Sequence, residues 1–170
     1  RENPPGKYRI HTRASEWYAE HGDSKRAIEH SLIIENYQRA GDLLETFSEL
    51  LFAQGQLDSL NEFASRLPDT LRRCCPRLQL DLVWIHTLNW EVRRAQNRIA
   101  EVREYVTETY GDNVPTRLAE KILHREIMIA LLQDRLDESE ALWTQWPSVT
   151  TGENEYFEGS AESASIIAHR

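Results

Sequence analysis

Asp23-Ser24-Lys25-Arg26-Ala27-Ile28-Glu29-His30-Ser31-Leu32, followed closely by Asn36-Tyr37-Gln38-Arg39-Ala40-Gly41-Asp42-Leu43-Leu44, decides the fold. Two helix starts lie in this stretch. Asp23 and Asn36 each offer a short side-chain oxygen to the free N–H groups of a first helical turn. Three positions into each helix stands a small residue, Ala27 or Ala40. A small side chain there lets one helix pack closely on the next. Beyond Ala40, the residues Leu43, Leu44, Phe47, Leu50 and Leu51 continue an i, i+3, i+4, i+7 stripe. Gly41 weakens this helix slightly, and its place in the middle suggests close approach by a neighbour.

The unit recurs. Leu57-Asp58-Ser59-Leu60, Val92-Arg93-Arg94-Ala95 and Leu136-Asp137-Glu138-Ser139 also follow a turn and set a small or apolar residue three positions in. Seven positions in stand Ser31, Leu44, Ala64, Ile99 and Trp143. The starts are 13, 20, 35 and 44 residues apart. A regular tetratricopeptide array repeats every ~34 residues. The sequence therefore predicts an all-α, irregular tetratricopeptide-like helical-hairpin array, an α–α superhelix of about nine helices. The plainer alternative is an ordinary irregular helical domain.

Periodicity sets the expected helices at 8–20, 24–34, 37–53, 57–67, 76–88, 91–110, 115–133 and 136–146, with a short turn of helix ending at Arg73. Pro76 and Pro115 suit first helical positions, and Pro68 and Pro147 act as stops. Residues 78–88 are apolar nearly all round, which marks a buried central helix. On the first helix Ile10, Ala14, Trp17 and Tyr18 share a face, and Trp17 and Trp84 are expected in the core. The organisation reads as a polar tail (1–7), a first set of helices (8–75), hairpin repeats (76–147), and a loop with a final helix (148–170). That last helix, from Ser160 to Arg170, has no stop signal, and residue 1 is Arg. A piece of a longer protein is expected.

The chain has 170 residues and a net charge of -8. Its mean hydropathy is -0.62. No apolar run approaches the ~18 residues of a membrane span, and no apolar leader is present. The acidic balance argues against a nucleic-acid surface, which needs clustered cations. Cys74 and Cys75 are adjacent and form no CxxC motif, which fits a reducing cytoplasm.

Chemistry-bearing motifs are missing. There is no phosphate-cradling GxxxxGK[ST], HExxH or GxSxG, so neither a cofactor nor a catalytic residue is expected here. Glu120 and His124 stand one turn apart and read as a surface ion pair, since zinc wants three or four convergent ligands. Gly152 to Gly159 resembles a protease-cleavage tag but lacks its Gln, and reads as natural sequence. Trp90 lies at a turn, Arg93 stands early on the next helix, and Trp146 abuts Pro147. Exposed aromatics at inter-helix turns anchor partners. Trp90, Arg93 and Trp146 are the candidate ligand- or partner-binding residues. The alternative for each Trp is to cap a hairpin's open end.

His11-Thr12-Arg13-Ala14-Ser15-Glu16-Trp17-Tyr18-Ala19-Glu20-His21-Gly22-Asp23 and Arg26-Ala27-Ile28-Glu29-His30-Ser31-Leu32 resemble the segment "RASEWYAEHGD…AIEHAL" of the ATP-dependent LuxR-family (MalT-like) bacterial transcription regulators. Asn36 to Leu44 and the Leu67-Pro68…Cys75-Pro76-Arg77-Leu78 passage resemble the continuation of that segment in the family. Ile33-Ile34-Glu35 departs from the family's small-residue-and-Gly turn. The resemblance covers residues 8–80; beyond that only the hairpin rhythm supports it. It implies the start of the helical array that comes after a winged-helix region, with ATP bound and DNA read elsewhere in the parent. The implied role is a non-catalytic sensor or scaffold, binding a small-molecule effector or regulatory protein and touching other domains of the parent. A freestanding tetratricopeptide-type adaptor is the alternative.

Overall fold

A computed structural model of the chain describes residues 5–145. Among the described residues every regular element is a helix: α1 (Pro5–Glu20), α2 (Ser24–Ile33), α3 (Tyr37–Ala53), α4 (Leu57–Arg66), α5 (Asp69–Arg73), α6 (Pro76–Leu88), α7 (Val92–Tyr110), α8 (Thr116–Leu132) and α9 (Leu136–Trp143). The expected all-α helical array is what is found. Boundaries differ by more than one residue at two places. α1 already begins at Pro5, whose missing N–H costs nothing in a first turn. α9 stops at Trp143, before the expected end. The expected final helix, Ser160 to Arg170, lies outside the described residues.

Five connections share one geometry. Gly22, Glu35, Gly55, Trp90 and Asp134 each take a left-handed conformation, with φ of 78°, 57°, 71°, 60° and 56°. The N–H of the next residue then reaches back to the carbonyl five positions earlier. These bonds are Asp23 to Tyr18 (2.9 Å), Asn36 to Ser31 (3.0 Å), Gln56 to Leu51 (2.9 Å), Glu91 to His86 (2.8 Å) and Arg135 to Ala130 (3.0 Å). That is a Schellman closure. At two of these joints the residue that completes the closure also caps the next helix through its side chain. Asp23 accepts from the Arg26 N–H at 3.1 Å and Asn36 from the Arg39 N–H at 3.3 Å. Each joint is compact, and the recurring start read from the sequence falls just after it.

The repeat positions point inward. Ala27, Ala40, Leu60, Ala95 and Ser139 are all buried, as are Ser31, Leu44, Ala64 and Ile99. The chain forms two compact units, one up to Leu82 and one from Val83. In the first, α1 packs on α2, α2 on α3 and α4, and α3 on α4 and α5. Gly41 is explained by Cys75. The thiol lies 3.7 Å from the Gly41 carbonyl oxygen, and a Cβ on Gly41 would also stand 3.7 Å from that sulfur. One turn on, the Glu45 carboxylate accepts the Arg77 and Leu78 N–H groups, each at 3.0 Å. A side chain of α3 therefore caps the first turn of α6.

In the second unit, α8 packs between α7 and α9. Ala95, Ile99, Val102 and Val106 form the buried stripe of α7, as their spacing predicts. Gln96 donates to Gln133 at 2.8 Å, which ties the first turns of α7 to the end of α8. Arg103 and Glu126 form a two-pronged ion pair across the same two helices.

Three sequence expectations are corrected. Trp17 is not core: it is 53% exposed, with Ile10 exposed on the same face, and stacks on His21 at 4.0 Å. Periodicity placed both on one stripe, but α2 covers the other side of α1, at Ser15. Leu88, at the end of the central helix, is 50% exposed, although residues 78–85 are buried as expected. His124 is not part of a surface ion pair. It is 1% exposed, on the wide buried face of α8. Its Nδ1 accepts from Arg125 Nη1 at 2.8 Å. The Arg125 guanidinium lies over the Trp84 ring at 4.6 Å, and Trp84 is buried as predicted.

Candidate functional site

The α6–α7 corner gathers two of the three candidate residues. α6 ends in the Schellman closure, which puts Trp90 at the left-handed position, 72% exposed. Leu88 is exposed two residues earlier. Glu91 then organises the corner. One carboxylate oxygen accepts from His86 Nδ1 at 2.7 Å, the other from Arg94 Nη1 at 3.1 Å. The His86 bond, helped by Arg94, holds the Glu91 carboxyl below the usual carboxylate range. Burial draws His86 below the ordinary histidine range, against the pull of that same bond. The corner thus carries a neutral imidazole and an ionised carboxylate at neutral pH.

Beside it, His86, Arg94, Asn97, Arg98 and Glu101 line an open polar depression of about 290 Å³. Residues 94, 97, 98 and 101 share one face of α7 by helical spacing. The size suits a side chain or a small anion rather than a large ligand. Arg93 is exposed one position away and does not line it. Trp146 lies outside the described residues. Arg94, Asn97, Arg98 and His86 are not among the residues the sequence singles out. The signal available was the 94–97–98–101 spacing; nothing local pointed to His86.

Two other places bring polar groups together or leave a hollow. Between α1 and α2, His11 Nδ1 and His30 Nδ1 are 2.7 Å apart, and Ser15 Oγ and Ser31 Oγ are 2.9 Å apart. Arg39 Nε donates to Ser15 at 3.0 Å, and Tyr18 stacks on His30 at 5.4 Å. Burial, then His30 and Lys7, lower the His11 pKa. This is a polar packing seam. At the far end of α7, a second hollow of about 340 Å³ lies between α7 and α8, lined by Val106, Thr107, Val114, Thr116 and Ile122 among others. Among the described residues no three His, Cys, Asp or Glu side chains converge to hold a metal. No helix there is long and apolar enough to cross a membrane.

What the geometry defines is an all-helical hairpin array with an exposed aromatic and basic corner. Compared with known proteins, the chain is 34% identical over 79 residues to the serine/threonine-protein kinase PknK of two Mycobacterium tuberculosis strains and of Mycobacterium bovis. The match covers 46% of this chain and 7% of each kinase. The chain therefore matches less than a tenth of the length of these relatives. No family model matches. No solved structure matches either.

Proposed function

We propose that the chain is a non-catalytic sensor or scaffold module of a LuxR-type transcription regulator. It binds an effector molecule or a partner protein at the α6–α7 corner. Binding favours one arrangement of the parent over another through differential affinity for the two. ATP hydrolysis and DNA contact belong to other parts of the parent, in the cytoplasm. The likeness of residues 8–80 to that family supports the reading. So does the similarity to a small part of a much longer protein kinase, which suits a helical module carried inside a signalling chain.

The observation that carries it is Trp90. Among the described residues six helix joints carry a residue at positive φ, and Gly fills three of them. A residue with a Cβ costs about 1–2 kcal/mol in that conformation. Trp90 is mostly solvent-exposed, so burial returns little of this. A strained backbone carrying an uncovered aromatic is placed for contact outside the chain; capping the hairpin would need a covered ring.

The test is Trp90→Gly in the whole regulator. Stability should rise by about 1 kcal/mol, while reporter-gene response to the inducing signal should be lost. A more stable variant with an unaltered response would refute the binding role. Sequencing the gene on both sides tests the parent: a nucleotide-binding loop upstream and a helix-turn-helix downstream are expected.

A further inference from the structure

We infer that α1 is a self-pairing helix. Two copies of the chain associate through the face of α1 that carries Ile10, Ala14 and Trp17, with the two helices antiparallel. Three observations carry this, and none of them involves the α6–α7 corner.

The first is an open apolar stripe. Ile10, Ala14 and Trp17 follow i, i+4, i+7 spacing and so share one face of α1. α2 covers α1 on another side, where Ser15 meets Ser31. Ile10 is 66% exposed and Trp17 53%, and large apolar side chains left open side by side mark a contact surface. The stack of Trp17 on His21 at 4.0 Å holds the ring in place before any partner arrives. Less entropy is then lost on contact.

The second is the order of charges beside that stripe. Arg9, Arg13, Glu16 and Glu20 are all exposed and follow i, i+4, i+7, i+11 spacing, which lines them along one edge of the apolar face. The basic pair comes first and the acidic pair second. Among the described residues none of these four forms an ion pair. A second α1 turned end for end sets its Glu20 opposite Arg9 and its Glu16 opposite Arg13, and twofold symmetry makes each pair twice. The same register brings Ile10 against Trp17 of the other copy. It also puts the small Ala14 at the crossing, where the helices come closest.

The third is the helix dipole. α1 has no acidic residue in its first turn and no basic residue in its last. Lys7 stands near its start and Glu20 at its end, the reverse of what the macrodipole favours. An antiparallel copy corrects this, since it lays acid beside the basic start and base beside the acidic end. Two helices of 16 residues bury a small area, so the dimer is weak and exchanges readily.

The test is sedimentation equilibrium of the 170-residue chain from micromolar to millimolar concentration. A monomer–dimer equilibrium is expected. Arg9→Glu/Arg13→Glu sets only acids along the edge, and Glu16→Arg/Glu20→Arg only bases. Each variant alone should dimerise about tenfold more weakly. An equimolar mixture of the two should recover a dimer with one copy of each, which also shows that both fold. Trp17→Ser should weaken the wild-type dimer about tenfold at unchanged helical circular dichroism. Three results would overturn the inference. A monomer at every concentration leaves the α1 face to another part of a longer chain. A dimer untouched by Trp17→Ser lies elsewhere on the surface. Charge variants that the mixture does not rescue exclude the antiparallel register.

Discussion

Acid should unfold the unit that begins at Val83, and His124 should be a main cause. The ring is enclosed and beside Lys121 and Arg125, and its Nδ1 accepts a hydrogen bond from Arg125. Burial first, then the two cations, lower its pKa from 6.5 to about 3. A proton on Nδ1 would oppose the Arg125 N–H and add a third cation to the group. In the unfolded chain His124 titrates near its ordinary value. Between the two pKa values the unfolded state holds one more proton, so stability is lost as pH falls below about 6.5, until the folded form also titrates near 3. At pH 5 the linkage amounts to about 2 kcal/mol relative to pH 7, at ~1.4 kcal/mol per pH unit below 6. That is a large part of a typical 5–15 kcal/mol, or roughly 4–8 °C in Tm. His86 and His11, also lowered mainly by burial, act in the same direction. Urea denaturation at pH 7, 6 and 5 measures the total slope. His124→Asn, whose side-chain oxygen can still accept from Arg125, separates the share of this one residue. The variant should be less stable at pH 7 but should lose about 2 kcal/mol less between pH 7 and 5. An unchanged slope in the variant would refute the assignment of the acid sensitivity to His124.

Three further outcomes are expected. Glu45→Gln removes the charge from the cap on α6 and leaves one acceptor for two N–H groups; it should cost about 1–2 kcal/mol in urea denaturation, and an unshifted midpoint would show the cap to be idle. Gly41→Ala places its methyl at ordinary contact distance from the Cys75 sulfur, so it should be neutral or stabilising by up to about 1 kcal/mol, whereas Gly41→Leu should cost roughly 1–3 kcal/mol; equal thermal stabilities for the two would disprove close approach. Burial pushes the Cys75 thiol up to about 12, with Glu45 adding to it, while Cys74 is exposed. A thiol reagent at pH 8 should therefore titrate Cys74 alone in the native protein, and both after denaturation.

The fold was legible because its signals are local. Asp23 and Asn36 announce their helices, and the small residue three positions in sits at a tight contact of each hairpin. One residue type at a fixed offset therefore carried both secondary structure and packing. Trp17 and His124 were misjudged for the opposite reason. A stripe of apolar residues tells which side of a helix could be covered, not which neighbour arrives to cover it. α1 turns Ser15 toward α2 and leaves Trp17 outside. α8 has neighbours on two sides, so its buried face takes in Lys121, His124 and Arg125 as well. Of the corner, Trp90 was visible as an aromatic at a turn. The left-handed backbone that gives it meaning was not, since Trp is not a residue one places there from sequence. His86 joined the depression only through the closure of α6 onto Glu91.

The compact joint moves the freedom of this architecture out of its loops. Little linker is available to absorb a change, because the residue that closes one helix stands directly before the next. What can vary is helix length, and it does: 10 residues in α2 and α4, 17 in α3 and α8. Each residue inserted into a helix rotates everything after it, within the same unit, by about 100° and shifts it ~1.5 Å. An insertion at the joint itself would cost the long hydrogen bond, and at Asp23 or Asn36 the cap as well. Helix length thus works as a phase dial. Related arrays can re-aim a surface such as the Trp90 corner by changing residue counts inside helices while every joint stays the same.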